Sequence, residues 1–218
     1  MKFSVIYRPI SLFSLKESNS TNSGAKSLLL PSPYAIKMAL FNQVITANGK
    51  EALESKDSKE FDYIKEAQIS YFISGSFCVN NCFLTIQSLR DGAYRGKPSF
   101  REYIYLTDDI EIIIDVKDKG MKEYLQQHLH RINYFGKRGC FFQFICYKDN
   151  PSEANVTEFD ASKFSPGILQ EYDDVSHKAA FKNINNYDSA SALREKKILV
   201  IPVENINSSK SYTHFRCI

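Results

Sequence analysis

Residues 32–49 read SPYAIKMALFNQVITANG, and this stretch decides the fold class. A serine before a helix accepts hydrogen bonds from its otherwise unpaired N–H groups, and Pro33 at the first helical position sacrifices no bond. Ile36, Leu40 and Val44 recur every four residues, joined by Phe41 and Ile45, so a helix over about 33–46 carries one apolar face suited to lying on a sheet. Asn48-Gly49 ends it. The sheet begins upstream. Between Lys2 and Tyr7, apolar Phe3, Val5 and Tyr7 alternate with Lys2 and Ser4, the period of a half-buried strand, with Ile6 as the one interruption.

Working outward, the polar residues from Lys16 to Lys26 lack periodicity and read as a mobile loop. Asp57 with Glu60 three residues later forms a capping box for a short helix that buries Phe61 and Ile64. The segments Ile69 to Ile73 and Cys82 to Ile86 read as strands, and Arg90 to Pro98 as a polar, basic excursion. Arg101 to Leu106 and Ile110 to Val116 read as a hairpin across Thr107-Asp108-Asp109. A second helix spans about Lys119 to Asn133, with Met121, Tyr124, Leu125, Leu129 and Ile132 on one face. Cys140 to Tyr147 is almost continuously apolar, as in a strand buried on both faces. Beyond it, Asn150 to Asp188 lacks strong periodicity, Lys197 to Val203 reads as a strand, and Tyr212 to Ile218 as its partner. This order predicts an α+β fold, and a ferredoxin-like, RRM-like β-α-β-β-α-β core accommodates it. The expected organisation is a core over 1–148, a hairpin projecting near 85–101, and a carboxy-terminal extension over 149–218 packed on the core.

The composition is that of a globular protein, 43% hydrophobic and 24% charged over 218 residues, with a core rich in its 16 Phe and 13 Tyr. A net charge of +3 leaves any nucleic-acid surface to local clusters. Five cysteines with no apolar leader predict a reducing, cytoplasmic setting. The spacing of Cys78 and Cys82 is not completed by a second close pair, so no metal or other cofactor is expected. No apolar run approaches the ~20 residues of a membrane span.

Three clusters have the chemistry of RNA contact. Gly136-Lys137-Arg138-Gly139 holds two cations at a turn whose glycines let backbone approach phosphate, although an ordinary glycine helix stop with solvated charges uses the same residues. Ser32, Tyr34 and Lys37 set a helix amino terminus beside a ring and a cation; simple capping with Tyr34 packed inward is the competing reading. Arg90, Tyr94, Arg95, Lys97 and Arg101 interleave cations with an aromatic, as single-strand sites do and as a solvated basic tip also would. For catalysis the sequence offers little. His128 falls on an apolar helix face, His130 points away from it, and His177 and His214 are isolated. No local general acid and base pair, phosphate-binding loop or nucleophile elbow appears.

Three segments, in order along the chain, resemble the Cas-five family of type I CRISPR Cascade complexes: residues 30–40 (LPSPYAIKMAL), 100–105 (FREYIY) and 132–141 (INYFGKRGCF). The resemblance implies a ferredoxin-like fold of the repeat-associated RNA-binding superfamily with a β-hairpin thumb. It also implies a non-catalytic subunit that clasps the 5′ handle of CRISPR RNA, abuts the Cas-seven backbone subunit, contacts the Cas-eight-type large subunit and lies near target DNA at the PAM. No membrane partner is implied. Many relatives in the superfamily carry a glycine-rich loop near the carboxy terminus, whereas this chain has Gly136 to Gly139 in mid-sequence. Two alternatives remain: a metal-independent endoribonuclease built from Tyr, Lys and His of distant segments, as in some Cas-five relatives, and an unrelated ferredoxin-like scaffold.

Overall fold

The computed structural model describes residues 1–18, 20, 24–54, 58–184 and 191–218, with Arg90 described by its backbone alone. In chain order the longer elements are β1 (Lys2–Pro9), α1 (Pro33–Asn48), α2 (Lys59–Glu66), β2 (Gln68–Phe72), β3 (Ser76–Arg90), β4 (Ala93–Leu106), β5 (Ile110–Asp115), α3 (Lys119–Leu129), β6 (Phe142–Lys148), β7 (Ile168–Val175), β8 (Arg194–Ile201), β9 (Val203–Ser208) and β10 (Tyr212–Cys217). The chain is a mixed α+β protein dominated by sheet.

An antiparallel four-stranded sheet, ordered β2-β5-β1-β6, forms its centre. Period-two alternation turns Phe3, Val5 and Tyr7 of β1, with their partners Ile114, Ile112 and Ile110 on β5, toward the helices. Against them α1 buries Ile36, Leu40, Phe41 and Val44, and α3 buries Met121, Leu125 and Leu129. Two tyrosines tie the layers through their hydroxyls: Tyr7 donates to the Leu129 carbonyl and Tyr71 to that of Pro31, each at 2.6 Å. Helix α1 starts as its sequence requires, with Ser32 Oγ accepting from the Ala35 N–H at 3.1 Å. It ends two residues later than expected, where Gly49 adopts a positive φ of 81°, and Ile45 is exposed rather than packed. Helix α2 is capped by Ser58, whose Oγ accepts from the Phe61 N–H at 3.2 Å. The expected capping residue Asp57 lies outside the described residues.

The second sheet corrects the expected strand pairing. Arg101 to Leu106 and Ile110 to Val116 do not form a hairpin: β4 pairs with β3, while β5 crosses into the central sheet. Thr107 to Asp109 is therefore a passage between sheets. The real hairpin joins β3 to β4 through Asp91-Gly92, both with positive φ (52° and 75°), the two-residue turn whose twist matches paired strands. The basic excursion at Arg90 to Pro98 is accordingly the tip and one strand of a long arm. Strands β9 and β10 complete this sheet through β10–β3 pairing, and Gly24–Ala25 adds a short parallel strand beside β4. Residues 19 and 21–23 of the expected mobile loop lie outside the described residues, while Leu15–Lys16 pairs with Ser27–Leu28.

Strand β6 is not buried on both faces. It pairs with β1 alone, burying Phe142 and exposing Cys146, because its apolar run sits at a sheet edge. The aperiodic stretch after Asn150 contains β7, an eight-residue strand whose sequence ILQEYDDV hides its nature. It pairs with β8 along its whole length, and it packs on α1 through the inward ring of Tyr172. Strand β10 partners β9 rather than the whole of Lys197 to Val203, since β8 turns to β7 and only Val203 meets Cys217.

Candidate nucleic-acid interface

Two segments far apart in sequence meet at one cleft of about 420 Å³. The start of α1 contributes Ser32, Tyr34 and Ala35, and the glycine-bracketed loop contributes Gly136. That loop closes on itself: the Phe142 N–H donates to the Asn133 carbonyl at 3.0 Å and the Cys140 N–H to that of Lys137 at 3.3 Å. Positive φ at Gly136 (68°) and Gly139 (102°) permits the tight path, and a side chain at Gly136 would press on Leu15. Lys137 lines an adjoining cavity of about 190 Å³ together with Ser32 and Lys16, and its Nζ lies 5.8 Å from the centre of the Tyr103 ring. Arg138 is exposed. The loop thus holds Lys137 beside a helix amino terminus, two features that each attract phosphate.

Strand β8 supplies a cleft residue that sequence reasoning missed. The Arg194 guanidinium lies 4.1 Å from the Tyr34 ring centre and bonds the buried Asp173 carboxylate at 2.9 Å. Stacking and ion pairing together hold the arginine plane at the cleft wall. Tyr34 is half-buried, packed against the core and also stacked with a cation. The carboxylates on this wall are met by basic groups, Asp173 by Arg194 and Glu171 by Lys196 at 2.6 Å. No local signal marks Arg194, because its role depends on Tyr34 from a distant helix.

Lys37 is not part of this surface. Its side chain is 1% exposed, its Nζ pairs with Asp174 at 2.7 Å and donates to the Lys65 carbonyl at 2.8 Å. Burial pushes its pKa down, and the Asp174 carboxylate opposes that shift. One residue beyond the apolar position Ile36, it lies on the side of α1 facing β7, which leaves no route to RNA.

The arm separates the third cluster into two faces. Residues paired directly across an antiparallel ladder share a face, so Arg95, Lys97 and Arg101 of β4 lie with Ser88, Ile86 and Cys82 of β3. Tyr94 lies on the opposite face beside Leu89, with Phe83, Phe100 and Pro98 further along it. The expected interleaving of cations and aromatic is thus an artefact of one-dimensional order: the two chemistries point in opposite directions. Arg95 and Lys97 are exposed, Arg101 is half-buried, and the side chain of Arg90 lies outside the described residues.

His128 and His130 share the end of α3, whereas His177 and His214 lie elsewhere in the chain. His128 is buried under Tyr124, His130 bonds the Gln126 carbonyl, His177 pairs with Glu195, and His214 lies in β10.

Cleft and arm define a sheet-rich α+β protein with a basic, aromatic-lined surface suited to an anionic chain. No protein-family model matches the sequence. The chain is 22% identical over 194 residues to the CRISPR-associated protein Cas5 of Archaeoglobus fulgidus, covering 83% of this chain and 82% of that protein. The chain is thus similar in sequence to a CRISPR-associated Cas5 protein, in keeping with the Cas-five resemblance of its three segments. Two solved structures align along nearly its whole length. One is a CRISPR protein from Archaeoglobus fulgidus, 12% identical with a TM-score of 0.42, covering 100% of this chain and 92% of that one. The other is the Csm3-Csm4 subcomplex of a type III-A CRISPR-Cas interference complex, 13% identical with a TM-score of 0.43, covering 98% and 92%.

Proposed function

We propose that this chain is a non-catalytic RNA-binding subunit of a type I CRISPR Cascade, holding the 5′ handle of the guide RNA. The observation that carries the reading is the convergence of the α1 amino terminus and the Gly136–Gly139 loop on one cleft, with Lys137 reaching Tyr103 at the base of the arm. A kinked strand entering there meets helix N–H groups, two loop cations and the stacked Arg194–Tyr34 pair. The central sheet, ordered β2-β5-β1-β6 with α1 and α3 on one face, is the ferredoxin-like core of the superfamily in this reading. Residues 1–148 make up the core and thumb, and 149–218 the extension. Beside the RNA, the partners are the Cas-seven backbone subunit, which the chain caps, and the Cas-eight-type large subunit. The site of action is the cytoplasm.

The test is purification of the complex through this chain, wild type against the Lys137→Ala/Arg138→Ala double variant, at matched ionic strength. Each charge-assisted phosphate contact contributes roughly 1.5–3 kcal/mol before screening, so bound guide should fall clearly. Stability should change by no more than about 0.5 kcal/mol, because both side chains are exposed. Equal RNA content in the folded variant would remove the handle from this cleft. Cleavage of labelled repeat RNA by the chain in EDTA would replace the non-catalytic reading with that of a metal-independent endoribonuclease.

A further inference from the structure

The five-stranded sheet has two unlike faces. Phe77, Val79, Ile104 and Leu106 point inward and are buried. On the outer face the register sets residues in rows: His214, Cys78 and Tyr105 in one, Tyr212, Asn80 and Tyr103 in the next, then Cys82 with Arg101. Tyr105 is 54% exposed on a strand where its neighbours Ile104 and Leu106 are buried. Between the rings lies a depression of about 290 Å³ bounded by Ser76, Cys78, Tyr105, Thr107, Tyr212 and His214. The Tyr212 hydroxyl accepts a hydrogen bond from Asn207 Nδ2 at 3.1 Å, which restrains its ring.

This face is continuous with the cleft at one point and with the arm at another. Tyr103 lies in the second row and beneath Lys137 of the cleft loop. Farther out, the same face carries Arg101, Lys97 and Arg95 on β4, with the buried Ser99 between the first two. Aromatic rings followed by a run of cations match the two repeating parts of a single strand, its bases and its phosphates. The hydroxyl and imidazole groups around the depression suit base edges. A protein surface of ordinary apolar character would find aliphatic neighbours only farther out, at Leu84 and Ile86.

We propose that this outer face is a stacking platform for single-stranded RNA, in which the depression between Tyr105, Tyr212 and His214 takes an unstacked base and Arg101, Lys97 and Arg95 follow the backbone outward. The proposal rests on the reading that the chain binds RNA, and adds a second subsite beyond the cleft.

The full chain is titrated with a fluorescently labelled, unstructured RNA oligonucleotide over a range of salt. Loss of stacking on one base corresponds to about 1–3 kcal/mol, so Tyr105→Ala/Tyr212→Ala should weaken binding about 5- to 150-fold with the salt slope unchanged. Tyr105→Phe/Tyr212→Phe, which keeps the rings and removes only their hydroxyls, should bind more tightly than the alanine variant and recover most of the wild-type affinity. Lys137→Ala/Arg138→Ala should lower the salt slope by roughly 0.7 for each phosphate no longer neutralised. Ultraviolet crosslinking of the wild-type chain, which needs no variant to fold, should place adducts on Tyr105, Tyr212 or His214. Wild-type affinity in the alanine variant, or adducts confined to the cleft, would overturn the platform and leave the proposed function standing. An alanine variant that keeps its RNA affinity but fails to join other subunits would assign the face to a protein partner and overturn the platform as well. No binding by the wild-type chain would overturn both readings.

Discussion

The central sheet and the arm obey the same period-two rule with opposite results. In β1 alternation sends Phe3, Val5 and Tyr7 under the helices, and the other face is closed too: Ser4 and Glu111 lie beneath the segment that carries Ser152. In the outer half of the arm Phe83 is 81% and Tyr94 77% exposed. A phenylalanine in a strand is therefore evidence of alternation and not of burial. A second layer has to supply the burial, and among the described residues the outer arm has none. What the arm keeps is a sorted surface, with apolar rings on one side and cations on the other, the form expected of an element that works between partners.

Substituting one residue type in both regions tests this contrast, and the largest effect should come from the core. Phe3→Ala removes a fully buried ring and should cost about 3–5 kcal/mol in urea unfolding. A loss below about 1 kcal/mol would mean that the central sheet is packed no better than the arm.

The closed outer side of that sheet should reveal itself in acid. Burial by itself would raise the Glu111 carboxyl, but hydrogen bonds from Ser4, the Ser152 backbone and hydroxyl, and Lys148 outweigh it and bring the pKa to about 2 from an ordinary 4.5. A carboxylate with a depressed folded pKa stabilises the fold above its unfolded value, and that contribution is lost as pH falls from about 4.5 toward 2. The loss should be on the order of 3 kcal/mol. Urea midpoints measured down this range should fall steeply in the wild type and less so in Glu111→Gln. Parallel curves for the two proteins would show that the network does not hold the carboxylate.

The smallest effect belongs to the arm. Phe83 meets Phe100 edge-on at 5.5 Å and little else, so Phe83→Ala should cost only about 0.5–1.5 kcal/mol. A core-sized loss would mean that the arm folds back onto the protein in solution.

Local chemistry made much of this molecule legible. Ser32, Pro33 and Gly49 bound a helix because capping and φ preferences act within a few residues, and the apolar spacing of Met121, Leu125 and Leu129 marked α3 for the same reason. Asp91-Gly92 carried the arm's turn just as locally, but the adjacent apolar runs flanking Thr107 made a false hairpin look simpler. Strand β7 left no such trace, since its polar residues find their partners across the fold: Gln170 at Ser27 and Leu29, Asp173 at Arg194, Asp174 at Lys37.

By itself, then, the sequence determined the α+β composition, the start and end of α1, the apolar face of α3 and the presence of glycine-flanked cations, all consequences of backbone preference and periodicity over a few turns. Only the tertiary structure decided which charges reach solvent and which faces meet. It buried Lys37 against Asp174, stacked Arg194 on Tyr34, parted Tyr94 from Arg95 and brought Lys137 to the helix amino terminus at Ser32. These outcomes depend on contacts between residues distant in the chain, and the energy of such a contact is set by the partner's position and the water excluded around it, neither of which is encoded in a residue's immediate neighbours.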